Sequence, residues 1–258
     1  MVERAVSYGD DMCKVRLILM WQGRLPEWTP QWVDACNAIP GWEWVLVCPG
    51  EDRRETFRLG NVRAEGFRTD SIDGLLRERL GVALPWKTAR DRRKSCEIRP
   101  AYGVLFEDML TGCDWWGWFD LDVVFGRVRQ FATDELLGAS DLITIDPPGV
   151  LSGPLTLMRN IPTTVNLFRQ QEDWRHIFED ECYHNFDERG IGKLVRGAGL
   201  RVSCNREWQG HDHEPGHHPV PRLQRRPDGG LWDEAKDREV ALFHFSRTKS
   251  WPIRGNQQ

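Results

Sequence analysis

One stretch constrains this chain more than any other: residues 113–126, CDWWGWFDLDVVFG. Its first half is filled by bulky aromatic side chains, which is typical of a buried β-strand. The strand ends in two carboxylates, Asp120 and Asp122, and such acids are costly to bury unless a cation lies against them. Residues i and i+2 of a strand share a face, so both acids can contact one hard cation such as Mg²⁺ or Mn²⁺. An exposed acid pair that caps a turn is the alternative.

Strand and helix patterns alternate along the rest of the chain, and this order is typical of a parallel sheet. Strands are expected at 14–23, 42–48, 61–64, 139–146, 154–160, 200–204 and 240–245. Helices are expected at 30–39, from Ser71 to a stop at Gly81, at 101–110, 128–138, 163–170, 173–180 and 189–199. We therefore predict an α/β fold over 1–258, a single Rossmann-like domain with a mixed, mostly parallel sheet flanked by helices.

Charge and composition exclude several classes of protein. A net charge of -4 argues against a protein that coats nucleic acid through bulk electrostatics. The N-terminus carries charges where a signal peptide needs an apolar run. No apolar run approaches the roughly 20 residues that span a bilayer. Seven widely spaced cysteines without a C-x-x-C pair indicate free thiols in a reducing compartment. We expect a cytoplasmic protein without a transmembrane segment.

Two polar segments admit more than one interpretation. Residues 87–99, KTARDRRKSCEIR, are the most basic stretch and form either a solvated face or a surface that neutralises a diphosphate or a phosphate backbone. Residues 209–230 are rich in Gly, Pro, His and Arg and predict a long loop, a lid or a recognition element. That loop also holds candidate zinc ligands at a spacing that matches no standard motif. They are His211, His213, His217 and His218, with Asp212 or Glu214.

Residues 93–103, RKSCEIRPAYG, and the D-x-D strand that follows resemble a bacterial family of GT-A-like glycosyltransferases of the capsular or cell-surface polysaccharide type. That family has a pattern close to Y-K-x-C-D-x-x-P-A-Y-G, then a helix, then F-W-G-x-x-D-x-D. The resemblance continues at 151–160, at 186–188 and at 244–249, and covers roughly residues 14–250. It implies a GT-A fold with a donor-binding half at about 14–126 and an acceptor half at about 127–258.

The resemblance also implies a metal centre and a donor site. Asp120, Asp122 and His244 would hold Mn²⁺ or Mg²⁺, and a neutral imidazole suits Mn²⁺ better. Asp120 would also lie near the donor ribose or sugar, and Lys249 would reach the donor diphosphate. The alternatives are a structural histidine at 244 and a solvated surface lysine at 249.

Further residues are assigned to the donor and acceptor pockets. Arg99 would contact the diphosphate, and Glu97 would hold that arginine or the sugar, unless the two form only an exposed ion pair. Trp21, at the end of the first strand, or Trp208 is a candidate to stack on the nucleobase or on the acceptor sugar. Asp187 and Glu188 fall where acceptor-site carboxylates lie, and one would be the general base in an inverting enzyme. Helix capping is their alternative role.

The predicted activity is metal-dependent sugar transfer from a nucleotide sugar, with a UDP-sugar as the first expectation, to an acceptor hydroxyl. The acceptor is a glycan, a lipid-linked or protein acceptor, or a modified base in DNA. A metal-dependent nucleotidyl- or phosphotransferase would also use paired acids, but the chain has no phosphate-binding glycine loop. The non-enzymatic alternative is a nucleic-acid-binding module with stacking tryptophans. Its cations would be Arg90, Arg92, Arg93, Lys94, Arg222, Arg225 and Arg226.

Overall fold

The chain forms a mixed α/β structure in a computed structural model that describes residues 12–49, 57–85, 92–147, 149–214, 216–217 and 221–253. The strands are β1 (Val15–Met20), β2 (Trp42–Pro49), β3 (Phe57–Leu59), β4 (Val62–Phe67), β5 (Trp115–Phe119), β6 (Val123–Phe125), β7 (Leu142–Thr144), β8 (Leu155–Arg159), β9 (Val202–Cys204), β10 (Gln209–His211), β11 (Leu223–Arg225), β12 (Leu231–Asp233), β13 (Arg238–Val240) and β14 (Leu242–His244). The α-helices are α1 (Thr29–Asn37), α2 (Thr69–Leu80), α3 (Tyr102–Leu105), α4 (Asp134–Ala139), α5 (Pro162–Val165), α6 (Trp174–Glu179) and α7 (Ile191–Gly197). In this part of the chain, no helix is both long and apolar enough to cross a bilayer.

The central sheet has the strand order β3-β4-β2-β1-β5-β8-β7-β9. Strand β1 runs parallel to β2 and β5, β2 runs parallel to β4, and β7 runs parallel to β9. Strand β8 is antiparallel to both β5 and β7, and β3 is antiparallel to β4. The expected α/β class, with a mixed and mostly parallel sheet flanked by helices, is confirmed. Both proposed halves of the chain contribute strands to this sheet, and the division between them stays a prediction.

The aromatic strand β5 lies at the middle of this sheet, buried on both faces. Trp115 packs into the core on one side, whereas Trp116 and Trp118 pack on the other, as the period of two predicts. All three are at most 1% exposed. Position 117 between them requires glycine for a steric reason, because a Cβ there would lie 1.9 Å from the Thr156 carbonyl oxygen of β8. This glycine lets the neighbouring strand approach.

Several helix boundaries differ from the expectations, and the helices expected over 128–138 and 163–170 are each divided into a short α-helix and a 3₁₀ turn. Helix α2 begins at Thr69, so Ser71 is not its N-cap, although Gly81 ends it in the left-handed region at φ 69° as predicted. The helix expected over 101–110 is broken, because α3 ends before Phe106 at φ -117° and a 3₁₀ turn follows. Phe106 is 1% exposed, and its ring packs edge-on at 5.2 Å from the ring of Tyr102. Tertiary packing of this aromatic pair accompanies the break in the helix.

Two small sheets involve the segment that the sequence predicts to be a long loop. One has the order β10-β14-β6 and the other the order β11-β12-β13. Their buried apolar side chains form a common cluster that includes Val124, Leu223 and Phe243. The prediction of a loop over 209–230 is therefore wrong for β10 and β11. Gln209 of β10 lies opposite Leu242 of β14, a pairing distant in sequence that local composition does not reveal. Arg225 of β11 lies opposite Leu231 of the neighbouring β12, so β11 belongs to a local hairpin that the loop-like composition obscures.

Candidate active site

The two acids of the D-x-D motif meet His244 through the pairing of β6 with β14. Asp122 directly precedes β6, whose Val123 lies opposite His244 in the antiparallel register. His244 Nε2 is 3.4 Å from Asp122 Oδ1 and 3.9 Å from Asp120 Oδ2. The three side chains each offer one ligand atom within 4.8 Å of the others. Two carboxylates and one imidazole form a donor set that suits Mn²⁺, and the two oxygen donors also suit Mg²⁺.

The electrostatics of Asp122 fit a metal ligand. Burial favours the neutral carboxyl, but the hydrogen bonds and charges of His244 and Lys249 hold its pKa well below the usual range. Lys249 Nζ contacts Asp122 Oδ2 directly. His244 Nδ1 is buried and has no hydrogen-bond partner among the described residues, whereas its Nε2 faces the acids. Asp122 is therefore ionised at neutral pH, as a metal-binding carboxylate must be.

Arg99 lies behind the acids and joins two parts of the site. It is 4% exposed, and its Nη2 donates to Asp120 Oδ1 across 2.6 Å. Its Nη1 is 3.7 Å from Asp187 Oδ2. Burial works to lower the pKa of Arg99, but its neighbours, including Asp120 and Asp187, hold that pKa well above the ordinary value. A permanent buried cation therefore links the D-x-D strand to the segment that carries Asp187.

Asp187 and Glu188 lie inside a π turn, Phe186–Gly190, that leads into α7. The N-cap is Asn185, whose side chain accepts a hydrogen bond from Arg189 N. The capping role considered for the two acids is therefore wrong. Asn185 has a left-handed φ of 58°, so the turn starts from a conformation that is uncommon for a residue other than glycine.

The two acids of this turn differ in exposure, and the pKa of each carboxyl group is raised. Asp187 is 1% exposed and accepts a hydrogen bond from the Tyr183 hydroxyl at 3.1 Å. Burial raises the pKa of Asp187 to about 6. Burial, followed by the charge of Asp120, also raises the pKa of the half-buried Glu188. Raised carboxyl pKa values beside a cavity are typical of acid–base sites.

A cavity of about 310 Å³ connects Glu188 with the metal-ligand candidate His244. Gly153 lies on its wall, and a Cβ there would be 3.0 Å from both Asp120 Oδ2 and Glu188 Oε1. Glycine therefore keeps the space between these two carboxylates open. The lining residues are Ile145, Asp146, Gly153, Pro154, Glu188, Arg206, Gln209, His211, Glu214 and His244.

Glu97 does not occupy the position that the resemblance implies. It is 0% exposed, and its Oε2 lies 2.6 Å from Lys94 Nζ rather than near Arg99. Its Oε1 accepts hydrogen bonds from the backbone amides of His184 and Phe186. This geometry corrects two expectations for Glu97. The side chain is too buried to contact the donor, and its ion-pair partner is the buried Lys94, so the expected exposed pair with Arg99 is not formed.

The basic stretch is partly internal. Lys94 is 3% exposed and Arg99 is 4% exposed, and each is paired with an acid, so neither offers a solvated charge to a phosphate backbone. Lys87 and Arg90 of the same stretch lie outside the described residues. The interpretation of residues 87–99 as a solvated face is wrong for its C-terminal part.

The histidines of the 209–230 segment fall into two groups among the described residues: His211 and His213 lie with Asp212, and His217 lies with Glu214 and Asp233, each group with three ligand atoms within 4.8 Å. His217 Nδ1 accepts a hydrogen bond from Arg222 N at 3.0 Å, so a neutral His217 carries its proton on Nε2, 2.9 Å from Asp233 Oδ1. The ring of His211 lies 4.8 Å from that of His244, and burial lowers the pKa of His211 to about 4. His218 lies outside the described residues.

Lys249 also lines a second cavity, of about 570 Å³, whose walls include the aromatic side chains of Trp28 and Trp251. Trp28 and Trp251 stack there with ring centroids 6.2 Å apart. Trp21, one of the two residues expected at the nucleobase or acceptor sugar, is half-buried at the end of β1, where its indole donates to Arg24 O. The sequence interpretation missed Trp28 and Trp251. The available signal was the position of Trp251, two residues after Lys249.

Comparison with known proteins gives one sequence family and several distant structures. The sequence profile of a family described as "Family of unknown function (DUF6625)" matches residues 17–220. No protein with a curated description matches the chain. A crystal structure of the galactosyltransferase LgtC with donor and acceptor sugar analogues is 14% identical, with 90% of this chain and 87% of that chain covered and a TM-score of 0.48. An active-site mutant of LgtC gives the same identity and coverage with a TM-score of 0.49. The apo form of mouse xyloside xylosyltransferase 1 is 11% identical, with 93% and 99% covered and a TM-score of 0.45.

Proposed function

The chain belongs to DUF6625, a family of unknown function, and we propose that it is a metal-dependent glycosyltransferase that uses a nucleoside diphosphate sugar. The observation that carries this proposal is the convergence of Asp120, Asp122 and His244 on one point. Lys249 contacts Asp122, and a cavity lined by Glu188, a carboxylate of raised pKa, and by His244 adjoins the site. The motif resemblance at residues 93–126 supports the same activity.

Asp120, Asp122 and His244 would hold Mn²⁺ or Mg²⁺, and the imidazole favours Mn²⁺. A bound divalent cation would neutralise negative charge on the leaving diphosphate. Lys249 is 65% exposed and extends to Asp122, so it would bind a phosphate oxygen next to the metal. Arg99 is too buried for the expected diphosphate contact, and we assign it to the orientation of Asp120 and Asp187.

In the proposed reaction, the acceptor oxygen bonds to the anomeric carbon of the donor sugar. The bond from that carbon to the diphosphate oxygen breaks, and its electron pair leaves with the nucleoside diphosphate. The acceptor proton passes to a carboxylate. Glu188 is the better base, because it lines the cavity, whereas Asp187 is 1% exposed and committed to Arg99 and Tyr183. Attack assisted by this base inverts the anomeric configuration.

A UDP-sugar is the proposed donor, and the acceptor class includes glycans, lipid-linked acceptors, proteins and modified DNA bases. The nucleoside would lie on the aromatic side of Lys249, near Trp21, Trp28 and Trp251. The alternative of a non-enzymatic nucleic-acid-binding module is weaker than the sequence suggested. Lys94 is buried in an ion pair, and Arg225 donates to the Phe125 carbonyl oxygen inside the small sheets.

A calorimetric and thermal-shift screen of UDP-, GDP-, dTDP- and CDP-sugars, each with and without Mn²⁺, tests the proposal. We expect metal-dependent binding of one donor by the native chain and its loss in Asp122→Ala. Glu135→Gln, at an exposed position of α4, is the matched control and retains binding. Absence of donor binding with every metal would overturn the proposal. Salt-dependent binding of short DNA in the same screen would favour the nucleic-acid alternative.

A further inference from the structure

Lys94 and Glu97 form an ion pair in the interior of the protein that neither metal binding nor the donor site explains. Their side chains are 3% and 0% exposed, and Lys94 Nζ lies 2.6 Å from Glu97 Oε2. Both residues belong to the 3₁₀ segment Arg92–Ala101. An ion pair buried to this extent is a weak contribution to stability, because an apolar pair of similar size often serves as well. Stability alone therefore does not explain why these two buried residues are charged.

Within the described part of the chain, the remaining hydrogen bonds of the pair go to the backbone of one other segment, residues 177–186. Lys94 Nζ donates to the carbonyl oxygens of Ile177 and Cys182, the latter at 2.9 Å. Glu97 Oε1 accepts from the amides of His184 and Phe186, the latter at 3.2 Å. The ion pair thus satisfies four backbone groups at once, which an apolar pair cannot do.

The segment held in this way ends at the carboxylates of the candidate active site. Phe186 begins the π turn that contains Asp187 and Glu188. Arg99, the cation that contacts both Asp120 and Asp187, follows Glu97 after a single intervening residue. The two segments also meet where the Arg93 guanidinium lies 4.6 Å from the ring centroid of Tyr183. Tyr183 in turn donates its hydroxyl hydrogen to Asp187.

We propose that Lys94 and Glu97 are positioning residues, which fix the backbone of 177–186 so that Asp187 and Glu188 face the D-x-D acids. Neither side chain touches the cavity. Their effect on transfer rests on the proposed function, but their effect on the backbone does not. Placement of a general base requires sub-ångström precision, so loosening of this segment should slow transfer without weakening the metal or diphosphate contacts.

Amide hydrogen exchange separates the positioning role from a general contribution to stability. The double variant Lys94→Met/Glu97→Met removes the charges, retains apolar bulk and loses all four backbone contacts. We expect exchange in residues 182–190 to accelerate at least about tenfold, with protection of β1, β2 and β5 retained. Glu97→Gln keeps the side-chain shape and replaces the double variant in this measurement if the double variant does not fold. The matched control, Arg16→Met/Glu43→Met, removes an ion pair between β1 and β2 and leaves exchange in 182–190 unchanged.

Kinetics of the same variants give the second measurement. We expect kcat to fall about 10- to 100-fold, with KM for the donor and the affinity for UDP with Mn²⁺ within about threefold of the native values. Native exchange rates over 182–190 in the double variant would overturn the positioning role, and so would a native kcat. If the native chain transfers no sugar, the proposed function fails, whereas the exchange result still decides whether the pair fixes the segment.

Discussion

Arg99 donates a 2.6 Å hydrogen bond to Asp120 while only 4% of the arginine is exposed. The other acid of the motif, Asp122, contacts Lys249, which is 65% exposed. The two carboxylates of one short motif therefore have different partners. Asp120 belongs to a buried charge network that reaches Asp187, and Asp122 faces an exposed surface cation.

Asp120→Asn should destabilise the fold by about 2 to 3 kcal/mol, because it leaves the Arg99 guanidinium buried with Asp187 at 3.7 Å as its remaining acid. Urea denaturation measures the change in unfolding free energy, with one m-value fitted to the native chain and the variant. Asp70→Asn removes an acid that pairs with the exposed Arg68 and is the control, with stability scarcely changed. Equal effects of the two variants would show that the Arg99–Asp120 pair contributes nothing particular to the fold.

His244→Gln should weaken the binding of Mn²⁺ more than that of Mg²⁺. The reason is that imidazole nitrogen is a preferred ligand of transition metals, whereas Mg²⁺ prefers oxygen. Isothermal titration of each metal in the presence of UDP measures both affinities, and we expect about a tenfold loss for Mn²⁺. His176→Gln, in the last turn of α6, is the histidine control. An equal loss for both metals would count against direct ligation by His244.

Lys249→Met should reduce the affinity for UDP about tenfold, since it removes the exposed cation beside Asp122. Lys249 has a left-handed φ of 50°, so a substitution there also changes backbone strain. Lys249→Gly relieves that strain but lacks the charge, and we expect it to bind UDP as weakly as Lys249→Met. Lys193→Met, at an exposed position of α7, leaves the affinity unchanged. Native affinity in Lys249→Gly would assign the effect to backbone conformation instead of charge.

Asp212 should act together with Lys249. Its side chain is 0% exposed and accepts hydrogen bonds from Arg247 N at 3.1 Å and Thr248 N at 2.7 Å. Asp212→Ala frees the turn that carries Lys249, so UDP affinity should fall about threefold or more. In a double-mutant cycle with Lys249→Met, the losses should be less than additive, because both variants remove one contact. Full additivity would show that Asp212 acts elsewhere.

Asp187 should make stability depend on pH between about 4 and 6. Burial raises its pKa from 3.8 to about 6 in the folded protein. Over this range the folded state therefore holds a proton that the unfolded state has lost, and stability falls as pH rises. Asp187→Asn removes this pH dependence. The unfolding free energy of the variant minus that of the native chain should therefore increase by up to about 3 kcal/mol between pH 4 and pH 6. Thermal unfolding at several pH values measures this, and a constant difference would contradict it.

The sequence by itself determined the parts of this protein that depend on local pattern. Period-two alternation placed Trp115 on one face of β5 and Trp116 and Trp118 on the other. The D-x-D acids at the end of that strand, and the stop of α2 at Gly81, also followed from residue type and spacing. These features depend on a few adjacent residues, so a single sequence contains the information.

The tertiary structure alone decided which distant residues meet. His244 reaches Asp122 because β14 pairs with β6, and Lys94 is internal because Glu97 and the backbone of 177–186 surround it. The charge of Lys94 predicted solvent exposure, and its burial depends on partners some 83 to 88 residues away. Strand pairing and burial between distant segments are set by the free energy of the whole chain, through contacts that local composition does not encode. For that reason the sequence identified the acids of the site, and only the fold showed which cations hold them.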